Sequence, residues 1–240
     1  MRVAVVGAAG RMGQTVCRAI DDAPDLELVA RLDEGDDASA LEGLADVAVE
    51  FTIPSQSEAN VHALLDAGVA VVVGTTGWTE EALQRVREHA EQSDGHVFIA
   101  PNFALSAVLA MRFAAMAAPY FESAEVIELH HPNKVDAPSG TALHTARGIA
   151  AARAGTPSPD ATEEGFEARG MDIDGVRVHA VRLAGMVAHE EILLGNPGEV
   201  LTIRADSFDR VSFMPGVLLA VRKVTGLPGL TVGLDALLDL

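Results

Sequence analysis

Fourteen consecutive residues, Glu128-Leu-His-His-Pro-Asn-Lys-Val-Asp-Ala-Pro-Ser-Gly-Thr141, set two imidazoles and an ammonium beside a turn that leads into a helix. Each part has a chemistry. An imidazole ionises near neutral pH, at a reference pKa of about 6.5, and can give or take a proton there. Lys134 is a point charge for an anion, and it is one of only two lysines in the chain, beside Lys223 and fifteen arginines. Pro138-Ser139-Gly140-Thr141 opens a helix whose first N–H groups lack partners and can cradle a carboxylate. His130 and His131 end an expected strand, where neighbouring side chains face opposite sides. Both reach one cleft only if the strand twists or ends there, and otherwise one of them is structural. A bare histidine pair is more often packing or a chance metal site. The lysine and the Ser-Gly-Thr helix start beside this pair favour an anion-binding catalytic site.

A second constellation begins the chain. Val3-Ala-Val-Val-Gly7-Ala-Ala-Gly10-Arg11-Met12-Gly13 is an apolar strand running into three glycines spaced by three, then into an amphipathic helix. Such glycines allow a tight turn, close approach of backbone to a pyrophosphate and close helix–strand packing. The spacing G-x-x-G-x-x-G departs from the commoner G-x-G-x-x-G, and its context strengthens it. Asp33 ends the second expected strand, where a carboxylate accepts hydrogen bonds from the adenosine ribose hydroxyls. Glu34 follows, and two carboxylates there repel a 2′-phosphate. Arg11, the cation of the glycine turn, either counters that repulsion or is a solvated helix-start residue. The balance favours NADH, with NADPH also accepted. Gly74-Thr75-Thr76-Gly77 follows the fourth expected strand, and Ala100-Pro101-Asn102-Phe103 follows the fifth. Both lie at the carboxyl edge where open α/β sheets bind ligands. Taken alone, the first is equally a turn and the second equally an interdomain hinge.

These side chains need a scaffold, and the pattern supplies two. Strands are expected near 2–6, 27–32, 46–51, 69–73 and 96–99, with helices near 11–22, 56–67 and 79–93, which predicts a doubly wound parallel sheet. Residues 34–45 are too few for a full crossover helix with loops, so an irregular crossover is expected there. Beyond Phe103 the pattern becomes a helix (105–119), a strand (124–131), a helix (139–153), a Pro/Gly/Asp-rich loop (154–175) and strands at 176–183, 186–195 and 199–206. Short turns at Ala184-Gly185 and Asn196-Pro-Gly198 predict that these last three pair antiparallel. A helix near 212–224 and an apolar segment, Leu230 to Leu234, return to the first sheet as an edge strand. The expected domains are therefore 1–103 with 211–240 for dinucleotide binding, and 104–210, an α+β unit with a mostly antiparallel sheet, for substrate and oligomerisation.

Composition narrows the function further. With 240 residues, 49% hydrophobic and only 4% aromatic, the chain builds its cores from valine, leucine and alanine. The formal charge of −18 argues against nucleic acid or an anionic membrane as a partner, so anionic ligands must be met at local positive spots. The longest apolar runs, such as Val69 to Val73 and Val217 to Val221, fall far short of the roughly 20 residues of a membrane span. The N-terminus runs straight into a strand rather than a signal peptide, and a cytoplasmic location is expected. Cys17, the single cysteine, reads as a small core residue. No Cys/His spacing indicates a metal.

In Gly7/Gly10/Gly13, Gly74-Thr-Thr-Gly77, Ala100-Pro-Asn-Phe103 and, above all, Glu128 to Ala142, the sequence resembles the 4-hydroxy-tetrahydrodipicolinate reductases, also called dihydrodipicolinate reductases, along essentially its whole length. The resemblance implies a Rossmann domain closed by a C-terminal return, and an α+β domain that binds substrate and builds a homotetramer through its sheet. It implies hydride transfer from NADH or NADPH to the cyclic dicarboxylate made from pyruvate and aspartate semialdehyde. His130 then resembles the general acid and Lys134 the residue that holds a substrate carboxylate and stabilises developing charge. His131, with Ser139, Gly140 and Thr141, grips the carboxylates. The cofactor set is Gly7, Gly10, Arg11, Met12, Gly13, Asp33, Gly74, Thr75, Thr76, Ala100, Pro101, Asn102 and Phe103. Two departures stand out: Glu34, where some NADPH-preferring members carry arginine, and Ala104-Leu-Ser106, where many have Ser-x-Gly. Arg210 lies near the second crossing between the expected domains, as a salt-bridge partner or a ligand contact. A redox-sensing protein that reads NADH without turnover would share the dinucleotide features, but would have no use for His130 and Lys134.

Overall fold

Strand β1 (Arg2–Val6) is buried from Val3 onward and takes the centre of a parallel sheet, since an apolar run without alternation must be covered on both faces. In the computed structural model, which describes residues 1–162 and 167–238, this sheet runs β11-β5-β4-β3-β1-β2. Its other strands are β2 (Glu27–Leu32), β3 (Val47–Glu50), β4 (Ala70–Val73), β5 (His96–Ile99) and β11 (Gly229–Val232), each paired parallel to its neighbours. Helices α1 (Arg11–Asp21), α2 (Pro54–Asp66) and α3 (Glu80–Gln92) connect them. The expected irregular crossover is a single turn of 3-10 helix, Ala38–Leu41, capped by the Asp37 carboxylate on the Ser39 N–H. Helix α6 (Met214–Lys223) leads to β11, which lies at the sheet edge beside β5. β2 and β3 flank β1 on opposite sides, so the direction in which the strands are wound reverses across β1, and in open α/β sheets ligands bind at the carboxyl ends of the strands at such a switch point.

The chain divides into Met1–Leu105 with Arg210–Leu240, and Ser106–Asp209. The second unit contains helix α4 (Leu105–Ala117, but for its first residue), β6 (Ser123–His130), α5 (Gly140–Ala152), β7 (Met171–Ile173), β8 (Val176–Arg182), β9 (Ala188–Asn196) and β10 (Glu199–Ser207). Its sheet runs β10-β9-β6-β8-β7. This corrects one expectation. β8 and β9, though joined by a short turn, do not pair, because β6 lies between them, parallel to β8 and antiparallel to β9. The reason is topological: β6, α5 and β8 form a β-α-β unit, which brings β8 back parallel on one side of β6 and leaves the other side for β9. β9 and β10 do form the expected hairpin. Within the expected loop 154–175, β7 adds an antiparallel edge strand to β8, and residues 163–166 lie outside the described residues, as do 239–240 of the expected C-terminal return. β6 alternates in and out, burying Ala124, Val126 and Glu128. Two of these are apolar and join a core with Ala146, Ile149, Ile192 and Leu194, and the third is a carboxylate. Among the described residues no helix is long and apolar enough to cross a membrane.

Candidate active site

In the first unit the candidate dinucleotide-binding residues lie at the end of β1. Gly7 has φ +83° and a Cβ there would stand 2.2 Å from the Phe51 carbonyl oxygen, so only glycine makes this turn. Gly13 sits in the first turn of α1, and a Cβ there would stand 2.0 Å from the Gly7 carbonyl oxygen, which fixes how closely helix and strand pack. Gly10 is the N-cap of α1, Arg11 is exposed and Met12 half-buried. The Asp33 carboxylate accepts the Ala9 N–H at 2.9 and 3.1 Å, tying the end of β2 to the glycine turn, and Glu34 beside it is exposed. Thr75 is buried and its Oγ1 accepts the Thr52 N–H at 2.8 Å, whereas Thr76 is exposed. A cavity of about 240 Å³ opens beside this turn, between Pro54, Thr76, Gly77 and Trp78. Pro101 is exposed and Asn102 Oδ1 accepts the Ala104 N–H. Ala100 and Phe103 are buried, with the Phe103 ring packed near Phe51 and Phe98, so that side chain serves the core. Cys17 is buried in the same unit, and its burial raises the thiol pKa. Arg210 is exposed at the start of a 3-10 turn.

In the second unit the candidate residues are placed by β6. The strand ends at His130, so His131 is the first residue beyond it and is exposed, while the His130 side chain keeps only 14% of its surface. His130 Nδ1 lies 2.5 Å from Glu128 Oε2. These two residues are separated by two positions, which on a strand puts them on one face. Glu128 is fully buried and accepts three further donors: Arg182 Nη1 at 2.7 Å, Arg182 Nη2 at 2.8 Å and the Ser139 N–H at 3.0 Å. Arg182 Nη2 also donates to the Asp136 carbonyl oxygen. Ser139 is the N-cap of α5, its Oγ accepting the Ala142 N–H, and Gly140 and Thr141 form the first turn. Lys134 Nζ donates to Asp136 at 2.7 and 2.9 Å. His130 and the start of α5 thus share the Glu128 carboxylate, whereas Lys134, whose charge acts on His130, is held by the Asp136 side chain.

The electrostatics follow from that carboxylate. Burial pushes the Glu128 carboxyl up, but Arg182 and His130 outweigh it and hold it below the usual range. Burial pulls His130 below the ordinary histidine value; Glu128 opposes this, and the charges of Lys134 and Arg182 add to it. Glu190, the cross-strand neighbour of Glu128 on β9, is buried without a cation, and burial, with a contribution from the Glu128 charge, raises it to about 7 against the Thr145 hydrogen bond. Sequence reasoning gave no role to Glu128, Arg182, Asp136 or Glu190. Glu128 was findable from its two-residue spacing to His130, whereas Arg182 reaches the site only through the parallel register that sets it beside His130.

A glycine-turn parallel sheet in one unit and, in the other, a mixed sheet carrying a buried histidine–carboxylate pair with Lys134 and Arg182 nearby fit a two-domain nicotinamide-dependent oxidoreductase. Residues 1–103 match the family model described as dihydrodipicolinate reductase, N-terminus, and residues 106–238 match that described as dihydrodipicolinate reductase, C-terminus. The chain is 69% identical to the 4-hydroxy-tetrahydrodipicolinate reductase of Beutenbergia cavernae, over 100% of this chain and 99% of that one, and 62% identical to the enzyme of the same name from Bifidobacterium animalis subsp. lactis, over 100% of both. Its structure superposes on the dipicolinate-bound dihydrodipicolinate reductase of Paenisporosarcina sp. TG-14 with a TM-score of 0.88 at 38% identity, over 99% of each chain. The chain belongs to the 4-hydroxy-tetrahydrodipicolinate reductase family.

Proposed function

We propose that this protein reduces 4-hydroxy-tetrahydrodipicolinate with NADH or NADPH, giving tetrahydrodipicolinate and water, and that its residues divide the work as follows. The observation that carries the assignment of roles is that the buried Glu128 carboxylate ties His130 to the N-cap of α5, with Lys134 in the intervening loop near enough for its charge to act on His130. When bound, the dinucleotide supplies the hydride. The turn at Gly7, Gly10 and Gly13 would hold its pyrophosphate, since a Cβ at Gly7 or Gly13 would collide with backbone and one at Gly10 would be tight, and the Asp33 carboxylate would hold its ribose. Thr75, Thr76 and the turn from Ala100 to Phe103 complete that edge. Asp33 followed by exposed Glu34 favours NADH, because a 2′-phosphate would meet two negative charges.

The substrate is a ring with two carboxylates. Lys134, released from Asp136, and the N-terminal turn of α5 at Gly140 and Thr141 bind them, with His131 beside, and fixing the ring supplies much of the barrier reduction. The 4-hydroxyl leaves with a ring proton as water, and His130, as imidazolium, then protonates the ring atom on which negative charge grows as the resulting unsaturated ring accepts hydride. Lys134 stabilises that charge before the proton arrives. The exposed apolar side chains of the second unit, Phe113, Met116 and Tyr120 around α4 and Val200 and Leu201 on the edge strand β10, fit a homotetramer formed through this unit. The acidic surface and biosynthetic chemistry fit a cytoplasmic enzyme.

The test is the initial rate of NADH and, separately, NADPH oxidation, with substrate made in place from pyruvate and aspartate semialdehyde by the preceding synthase. Oxidation that requires the synthase is the expected result. Cofactor binding without any oxidation would overturn the reading and leave a dinucleotide sensor in its place.

A further inference from the structure

We propose that Glu128, clamped by Arg182, is the positioning residue for His130: it holds the Nδ1 proton and so commits Nε2 to the proton passed to substrate. This rests on the reading of His130 as general acid. Four donors converge on the Glu128 carboxylate, from β6, from β8 and from the start of α5, which fills its lone pairs and leaves it no freedom to turn. The backbone of His130 is fixed as well. It is in register with Arg182 on one side and Ala188 on the other, and its carbonyl oxygen accepts the Leu183 N–H at 3.0 Å. Ring and main chain are therefore both held.

The arrangement is an expensive one for the fold. Glu128 is fully desolvated in a sheet whose other inward residues on β6 are alanine and valine. The Nε of Arg182 is buried and makes no hydrogen bond among the described residues. Buried ion pairs of this kind seldom stabilise more than apolar residues of the same volume, so stability alone gives no reason for the pair.

A reason appears in the charges that face His130. Lys134 in the following loop and Arg182 on β8 are both cations, and both disfavour an imidazolium. Asp136 is bound to Lys134, and Glu190 on β9 is held by the Thr145 hydroxyl. Glu128 is the anion in contact with the ring, and so the group that allows His130 to carry its proton. Once Nε2 has given its proton away, the neutral ring keeps Nδ1–H on Glu128, and Nε2 is the only atom that can be recharged. The same carboxylate reaches Ser139, so proton donor and carboxylate cradle share one anchor.

Glu128→Gln tests this. Arg182 demands acceptor oxygen, so the amide NH₂ turns to the ring and donates to Nδ1, which reverses the tautomer. The expected results are a fall in kcat of at least about 10-fold with KM changed less than about 3-fold, and an alkaline limb of the kcat profile displaced to lower pH. The ¹⁵N spectrum of the neutral imidazole should change from Nδ1–H to Nε2–H. If Glu128 only supports the fold, a folded variant keeps the wild-type limb and tautomer, and the proposal is overturned. Should Glu128→Gln fail to fold, Glu128→Asp keeps the charge for Arg182 and withdraws it from the ring, and the same two readouts decide. His130→Ala separates the underlying reading: full turnover there sinks the general-acid role itself, whereas loss of turnover there with an undisturbed Glu128→Gln sinks only the positioning role.

Discussion

His130 is under opposed influences, since burial and two cations disfavour its proton while Glu128 favours it, and the balance places its pKa below the ordinary histidine value in the free protein. A dianionic substrate adds negative charge beside the ring and must raise that pKa on binding. The alkaline limb of kcat/KM, which reports the free enzyme, should therefore lie at lower pH than the limb of kcat, which reports the complex. Coincident limbs would show that the titrating group does not feel substrate charge. Replacing His130 with Ala should lower kcat by roughly 10²- to 10⁴-fold while KM moves little, because the proton is needed only as charge develops. An equal loss in binding would point to a carboxylate contact instead. At the ribose edge, Glu34→Arg should raise the ratio of NADPH to NADH efficiency by about 10-fold or more, the worth of a repulsive charge made attractive at partial exposure. An unchanged ratio would mean that the side chain points away from the ribose.

Between β9 and α5 a single hydrogen decides a protonation state. The Thr145 hydroxyl lies within hydrogen-bond distance of the Thr141 carbonyl oxygen at 3.1 Å and of the Glu190 carboxyl at 3.0 and 3.1 Å, and it has only one hydrogen to give. The ionised Glu190 takes the Thr145 hydrogen, the contact that opposes its pKa rise, whereas a protonated Glu190 can donate to Thr145 and free that hydrogen for Thr141. Burial favours the protonated form, raising Glu190 from 4.5 to about 7. The folded chain thus keeps a proton that the unfolded chain gives up as pH passes 4.5, so this group costs stability as pH rises, with the full cost reached above about 7. Its size is on the order of 3 kcal/mol. Glu190→Gln has no such linkage. Its denaturation midpoint relative to the unmodified protein should rise between pH 5 and pH 8, and a constant difference across that range would show that Glu190 is ionised throughout.

At the scale of the whole molecule, a charge of −18 opposes the approach of a dianion, against which Lys134 and the N-terminal turn of α5 act locally. Raising ionic strength from ~10 mM to ~100 mM shortens the Debye length to about 10 Å and should increase kcat/KM, whereas a decrease would mean that local steering by the cations outweighs the global field. The exposed apolar residues of α4 and β10 should be covered by other copies, giving a mass near four chains by sedimentation; a monomer at working concentration would remove the oligomerisation role. Much of this was legible from residue order. Buried runs such as Val3–Val6 and Val71–Val73, the glycine spacing, and the helix start at Ser139 are local signals, fixed by covalent geometry and by the period of side chains along the backbone. These gave the parallel sheet, the glycine turn after β1 and the helix start at Ser139. What the sequence could not supply is pairing at a distance. The insertion of β6 between β8 and β9, the short strand β7, and the meeting of Arg182 with Glu128 depend on which strand edges are left open once β6, α5 and β8 have closed on one another. That choice is a competition between whole surfaces for burial, and no window of neighbouring residues contains it.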